Sequence, residues 1–126
     1  TTASTARILE VAMGGEATAS TVNRMALRRL STNGATPTNQ TPAALNPLSA
    51  AAVSQGFVAA TTGPTIASTQ HLCNLAFNTF GGIWRWVAAP YEEIWGTAST
   101  APNGEICLDS ISGVGVISTD MKFEEM

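Results

Sequence analysis

The chain has 126 residues and a net charge of −3 at pH 7, with 44% hydrophobic and only 12% charged residues. The fraction of charged residues is about half its usual value. This low fraction excludes a charge-rich disordered tail and leaves too few charges for the flanking positions of a coiled coil. Six Lys and Arg against nine Asp and Glu predict no nucleic-acid partner, because neutralising phosphates requires clustered basic residues. A compact chain of this size is expected to expose roughly 6,000 Å², which leaves enough buried surface for a core without disulfides or metals.

The first third of the sequence predicts a polar N-terminal arm and two strands. The arm covers residues 1–5, which lack a hydropathy period. Residues 6–13 alternate in hydropathy and predict a strand that ends at the glycines 14–15. Strict alternation would place four side chains on one side of it: Arg7, Leu9, Val11 and Met13. Residues 22–31 predict a second strand, because the Asn33–Gly34 pair that follows is a strong turn signal.

The remaining sequence predicts a long loop and then a series of short strands. Residues 35–50 contain three prolines, each of which biases the preceding residue towards extended geometry, so they predict a long loop. Short strands are predicted over 57–61, 72–78, 83–88, 92–95, 105–111, 114–118 and 120–124. Turn signals separate most of these strands, with Gly81–Gly82 breaking the run between two of them. The pattern predicts an all-β fold, an antiparallel β-sandwich of about eight short strands with long proline-containing loops, in one domain over residues 6–126.

Tryptophans and arginines are the candidates for contact with a partner. Trp84 and Trp86 lie two apart and therefore share one face of a strand, with Arg85 on the opposite face. Such tryptophans either fill the core or anchor a contact with a partner protein or a sugar. Arginines in the basic cluster around residue 28 suit bidentate pairing with carboxylates of a protein partner. The predicted contact residues are Trp84, Trp86, Trp95, Arg28 and Arg29.

The sequence contains little that could support catalysis. His71 is the single histidine, no cluster of residues has metal-ligand spacing, and no Gly-x-Ser-x-Gly motif is present. A glycan hydrolase would need two placed carboxylates, and the candidates are Glu92, Glu93, Glu105 and Asp109. We therefore expect no enzymatic activity, no metal and no cofactor. Cys73 and Cys107 lie in apolar runs and are either two buried free thiols or one disulfide.

Three segments of the sequence carry a family resemblance. They are ARILEV at 6–11, IWRWVAAP at 83–90 with EEI at 92–94, and the stretch 103–125, which runs from NGE through ISGVG to FEE. Together they resemble small virion structural proteins of tailed double-stranded DNA bacteriophages. The resemblance implies a jelly-roll-like sandwich and a capsid decoration, or cement, protein. It implies no catalytic residues.

Further expectations concern partners and location. The resemblance implies binding to the major capsid protein on the exterior of the virion, after synthesis in the host cytoplasm, and a homotrimer as the first assembly to expect. No membrane partner is expected, because no stretch reaches the roughly 18 apolar residues of a membrane span. Three alternatives stay open: a carbohydrate- or receptor-binding module on a head fibre or tail tip, a small glycan hydrolase, and the major coat protein of a small virus.

Overall fold

A computed structural model describes residues 5–32, 34–36, 38–58, 61–67, 71–97, 104–113 and 115–126. Ten strands lie in this part of the chain: β1 (Ala6–Glu16), β2 (Val22–Thr32), β3 (Thr38–Gln40), β4 (Gly56–Val58), β5 (Thr65–Ile66), β6 (Cys73–Asn78), β7 (Phe80–Val87), β8 (Ile94–Gly96), β9 (Glu105–Ser112) and β10 (Ile117–Glu125). All paired strands are antiparallel, and the described residues contain no helix. The predicted all-β sandwich is confirmed.

Two four-stranded sheets are each built around one long strand. In sheet A, β1 pairs with β10 along one edge and with β7 and β8 along the other. In sheet B, β2 pairs with β9 along one edge and with β6 and β5 along the other. Strands β3 and β4 form a separate two-stranded sheet. Each main sheet is therefore only about three strands wide, so its outer strands are edge strands, which proteins normally protect from unwanted pairing.

The core lies between the two central strands. Ile8, Val11 and Met13 on β1 are buried together with Met25 and Leu27 on β2. Val11 and Met13 are two residues apart, and so are Met25 and Leu27, which is the spacing that directs side chains to one face of a sheet. Half-buried side chains from the flanking strands pack around this centre: Cys73, Leu75, Trp84, Trp86, Ile94, Ile106, Leu108, Ile117, Met121 and Phe123.

The start of β1 departs from the predicted alternation. The register with β10 shifts between Ile8 and Glu10, where two steps on β1 correspond to one on β10. Leu9 is therefore the extra residue of a bulge, and the face that each side chain occupies changes at this point. Ile8 enters the core, whereas Arg7 lies on the outer face beside Glu124. The prediction that Arg7 shares a side with Val11 was wrong for this reason.

Glycine pairs do not interrupt the strands as predicted. Strand β1 continues through Gly14 and Gly15 to Glu16, and β7 begins at Phe80 and runs through Gly81 and Gly82. A Cβ atom on Gly15 would lie 2.1 Å from the carbonyl oxygen of Thr79, so this glycine permits a close backbone approach. Gly81 has φ +73° and lies where the register between β1 and β7 shifts, which is typical of a bulge with glycine at its left-handed position.

The chain exposes 7978 Å², which is roughly 2,000 Å² more than the scaling law gives for a compact chain of this mass. Thr5, placed in the predicted N-terminal arm, exchanges backbone hydrogen bonds with Met126 and so extends the pairing of β1 with β10. Residues 1–4 of that arm lie outside the described residues.

Candidate interaction surface

Trp84 and Trp86 face the core of the sandwich. Each lies opposite a buried residue of β1, Trp84 beside Met13 and Trp86 beside Val11. Both indoles are half-buried and pack against the core, while Arg85 lies on the outer face. The predicted sharing of one face is confirmed. The position favours the core role that the sequence left open, and a contact with a partner stays a prediction.

Trp95 and Arg29 meet at one end of the sandwich. Trp95 lies opposite Arg7 in the pairing of β8 with β1, and it is 39% exposed. Arg29 on β2 donates a hydrogen bond from its Nη1 atom to the Trp95 carbonyl oxygen over 2.9 Å. This contact joins sheet B to sheet A. Trp95 is therefore the predicted tryptophan most accessible to a partner.

Arg28 lies on the outer face of sheet B. Its Nη1 atom is 2.7 Å from the Oδ2 atom of Asp109 on the neighbouring strand β9. The next residue on this face, Ala26, is fully buried. A half-buried ion pair of this kind depends on both partners, because removing one leaves a desolvated charge. The structure thus gives Arg28 an ion-pairing role within the sandwich, apart from the tryptophans.

Both cysteines are free thiols. Cys73 lies opposite Leu27 on one side of β2, and Cys107 lies opposite Arg28 on the other side. The two cysteines are thus separated by two strand spacings, about 9.6 Å, and point to opposite faces, whereas a disulfide requires Cα atoms within about 7 Å. Burial raises the pKa of both thiols, and with the charge of Asp109 it raises that of Cys107 to about 11.

Two of the carboxylates considered for a hydrolase, Glu93 and Asp109, lie on different sheets. Glu93 lies 3.6 Å from Arg7 at the outer face of sheet A, whereas Asp109 pairs with Arg28 at the outer face of sheet B. These two groups cannot flank one glycosidic bond. The described residues also contain no group of three or more His, Cys, Asp or Glu placed to hold a metal ion. Within the same part of the chain, no helix has the length and hydropathy needed to cross a membrane.

The excursion between β2 and β5 contains a strand pairing that the sequence did not predict. We call residues 34–64 the ribbon. At its base, Ala35 and Thr62 form a bridge, and the hydroxyl groups of Thr36 and Thr61 lie 2.6 Å apart. Further out, β3 pairs with β4, and the Asn39 amide donates to the Gln55 side chain over 2.8 Å. The predicted long loop, residues 35–50, therefore contains β3, whereas β4 overlaps the strand predicted over 57–61. The two strands form a stem, with residues 41–55 as its tip.

The tip of the ribbon is held against sheet A by a carboxylate. Glu125, near the end of β10, accepts hydrogen bonds from the backbone N–H groups of Val53, at 2.8 Å, and Ser54. Hydrogen bonds from backbone N–H groups to an ionised carboxylate are shorter and stronger than neutral ones. Within the tip, the Asn46 side chain accepts a hydrogen bond from the Leu48 N–H over 3.0 Å. These contacts give the tip a defined position beside the sandwich.

The ribbon presents apolar side chains and no charge. Leu48 is 92% exposed, and four more large apolar residues of the ribbon are exposed: Leu45, Val53, Phe57 and Val58. The sequence has no Asp, Glu, Lys or Arg between Arg29 and Arg85. This uncharged stretch of sequence, which includes the ribbon, is the signal that could have identified it, because depletion of charged residues is typical of the centre of protein interfaces.

The comparisons with known proteins give no family. No family, no curated protein and no solved structure matched the chain. A function must therefore be inferred from the surfaces that the fold presents.

Proposed function

We propose that the chain is a non-enzymatic virion structural protein, a decoration protein that binds the exterior of the assembled capsid and stabilises it. The uncharged, apolar ribbon is the observation that supports this function best. Five exposed large apolar side chains on one excursion exceed the scattered single residues that a monomeric surface normally shows. A surface with these properties suits burial against another protein, here the major capsid protein.

The ribbon is suited to this role because it can be desolvated at little cost. Burying an ionised side chain costs several kcal/mol unless it is well paired, whereas burying a leucine contributes about 1.5–3 kcal/mol. The two hydrogen bonds to Glu125 position the tip before any partner arrives. Preorganisation of this kind lowers the entropy that must be lost on binding.

Stabilisation of the shell follows from differential affinity. A protein that binds the assembled shell, and not its dissociated subunits, shifts the equilibrium towards the shell by RT ln(1 + [L]/Kd) for each site. At a free concentration of about 100 times Kd, this amounts to about 2.7 kcal/mol per site. Many copies on one shell would add up to a substantial effect. A homotrimer and a jelly-roll connectivity are the further parts of this proposal.

The proposal can be tested with shells of the parent phage. Purified protein would be incubated with expanded shells of the major capsid protein and then pelleted with them. We expect binding that saturates at a fixed number of copies per shell, and a higher temperature of shell disruption. Leu48→Asp should weaken binding at least ~10-fold, because it replaces a buried apolar contact with a charge.

Val116→Asp serves as the matched control. Val116 is also an exposed apolar residue, but it lies outside the ribbon, so this variant should bind like the wild type. Loss of co-sedimentation in both variants would point to non-specific effects of charge. Absence of binding by the wild-type protein at concentrations of about 100 μM would refute the proposal.

The carbohydrate-binding alternative has less support from the structure. It requires an exposed aromatic platform, but Trp84 and Trp86 pack against the core and leave Trp95 as the exposed tryptophan. Specific binding on a glycan array that disappears in Trp95→Ala would favour this alternative over shell binding.

A further inference from the structure

The turn between β7 and β8 holds a tyrosine in an unfavourable backbone conformation. Ala89, Pro90, Tyr91 and Glu92 form this turn, and a hydrogen bond from the Glu92 N–H to the Ala89 carbonyl oxygen closes it over 3.0 Å. Tyr91 has φ +70°, in the left-handed region that a bulky side chain rarely adopts. A proline followed by a residue with positive φ is typical of a type II turn, in which this position favours glycine.

The folded chain does not bury the side chain of Tyr91, which is 99% exposed. Among the described residues, Thr36 is the other non-glycine residue with positive φ, at +45°. Its hydroxyl group lies 2.6 Å from that of Thr61 and contributes to the base of the ribbon. The side chain of Thr36 therefore has a role within the chain, whereas the ring of Tyr91 lies in solvent.

An exposed tyrosine in such a conformation has the properties of a contact residue. Residues in sparsely populated backbone conformations cluster at binding and catalytic sites. Tyrosine is enriched among the residues that dominate the binding energy of protein interfaces, because its ring supplies a large apolar area and its hydroxyl group a hydrogen bond. All four residues of the turn are exposed, so the ring projects from the edge of sheet A. Pro90 restricts the backbone of the turn and lowers the entropy lost on binding.

The turn lies close enough to the ribbon for one partner to contact both. At the start of the turn, the Ala88 N–H donates a hydrogen bond to the Leu9 carbonyl oxygen on one side of β1. On the other side of β1, Ala6 pairs with Glu125, which holds the tip of the ribbon. Three residues along β1 and two strand spacings across it separate these points by about 14 Å. A standard interface of ~800 Å² per partner is about 28 Å across, so it can include both.

We propose that Tyr91 is a second contact residue for the capsid shell, and that its ring enters an apolar pocket of the major capsid protein. This inference rests on the proposed function, and it extends the contact surface from the ribbon to the edge of sheet A. The carboxylate of Glu92, beside the ring, is exposed, whereas that of Glu93 lies 3.6 Å from Arg7. A basic side chain at the rim of the pocket would complement Glu92.

Replacing Tyr91 by glycine separates strain from contact, because the two effects have opposite signs. Tyr91→Gly relieves the left-handed conformation, so the Tm of the isolated chain should rise by about 2–4 °C. The same variant lacks the ring, so its affinity for expanded shells in co-sedimentation should fall at least ~10-fold. Tyr91→Phe keeps both the ring and the backbone conformation, so it should retain the Tm of the wild type and bind shells within about 3-fold of it.

Ala89→Gly is the matched control, because Ala89 is an exposed residue of the same turn without a positive φ. This variant should bind shells like the wild type, and its Tm should not rise. Shell binding by the wild type that Tyr91→Gly leaves unchanged would overturn this inference and leave the proposed function intact. A Tm that does not rise in Tyr91→Gly would contradict the strain on which the inference depends. Absence of binding by the wild type would refute the proposed function and this inference together.

Discussion

Two adjacent glycines of β1 provide a sharp test of the fold, because the structure gives them opposite surroundings. A Cβ atom on Gly15 would lie 2.1 Å from the carbonyl oxygen of Thr79 and 2.4 Å from its Cα atom, whereas one on Gly14 would meet nothing within 4 Å. The Thr79 oxygen also accepts a hydrogen bond from the Ala17 N–H over 2.9 Å. Ordinary contacts begin near 3.4 Å, so Gly15→Ala must displace the backbone by more than 1 Å and weaken this hydrogen bond.

The expected cost of Gly15→Ala combines two contributions. Overpacking costs about 1–3 kcal/mol, and a displaced hydrogen bond costs about 1 kcal/mol more. A total of about 2–4 kcal/mol corresponds to a fall in Tm of about 10 °C for a domain of this length. Gly14→Ala should change the free energy of unfolding by less than ~0.5 kcal/mol. Thermal and urea unfolding, followed by circular dichroism, would measure both variants. Equal stability of the two would refute the close packing of β1 against Thr79.

Three other predictions concern charge, a thiol and the tryptophans. The Arg85 guanidinium lowers the pKa of Glu10 to about 2. The stabilisation from the Glu10 carboxylate is therefore complete above about pH 4.5 and is lost as the pH falls towards 2. The variant Glu10→Gln should flatten this part of a curve of Tm against pH. Because burial raises the pKa of Cys107 to about 11, iodoacetamide should modify this thiol slowly in the native protein at pH 8 and rapidly in 6 M guanidinium. A fast reaction of the native protein would contradict the burial of Cys107. Trp84→Ala should destabilise the fold by about 2–4 kcal/mol, and Trp95→Ala by less than about 1.5 kcal/mol, as measured in urea; the reverse order would contradict the assigned faces.

Strand positions could be predicted well where hydropathy alternates without interruption. The strand predicted over 22–31 is confirmed as β2, and the one predicted over 105–111 as β9. The common face of Trp84 and Trp86 also followed from the period of two. In these segments each side chain has a single environment, buried or exposed, so local hydropathy and tertiary position agree.

The bulges and the pairing in the stem of the ribbon could not be predicted because their causes are not local. One extra residue at Leu9 reverses the faces of β1, and this insertion is defined by the register with β10. The sequence predicts a strand break at Gly81, but the left-handed backbone conformation of this glycine allows β7 to continue past it. The prolines of the ribbon correctly predicted part of the loop. They did not predict the stem, because the stem depends on the pairing of β3 with β4, and 15 residues separate these two strands.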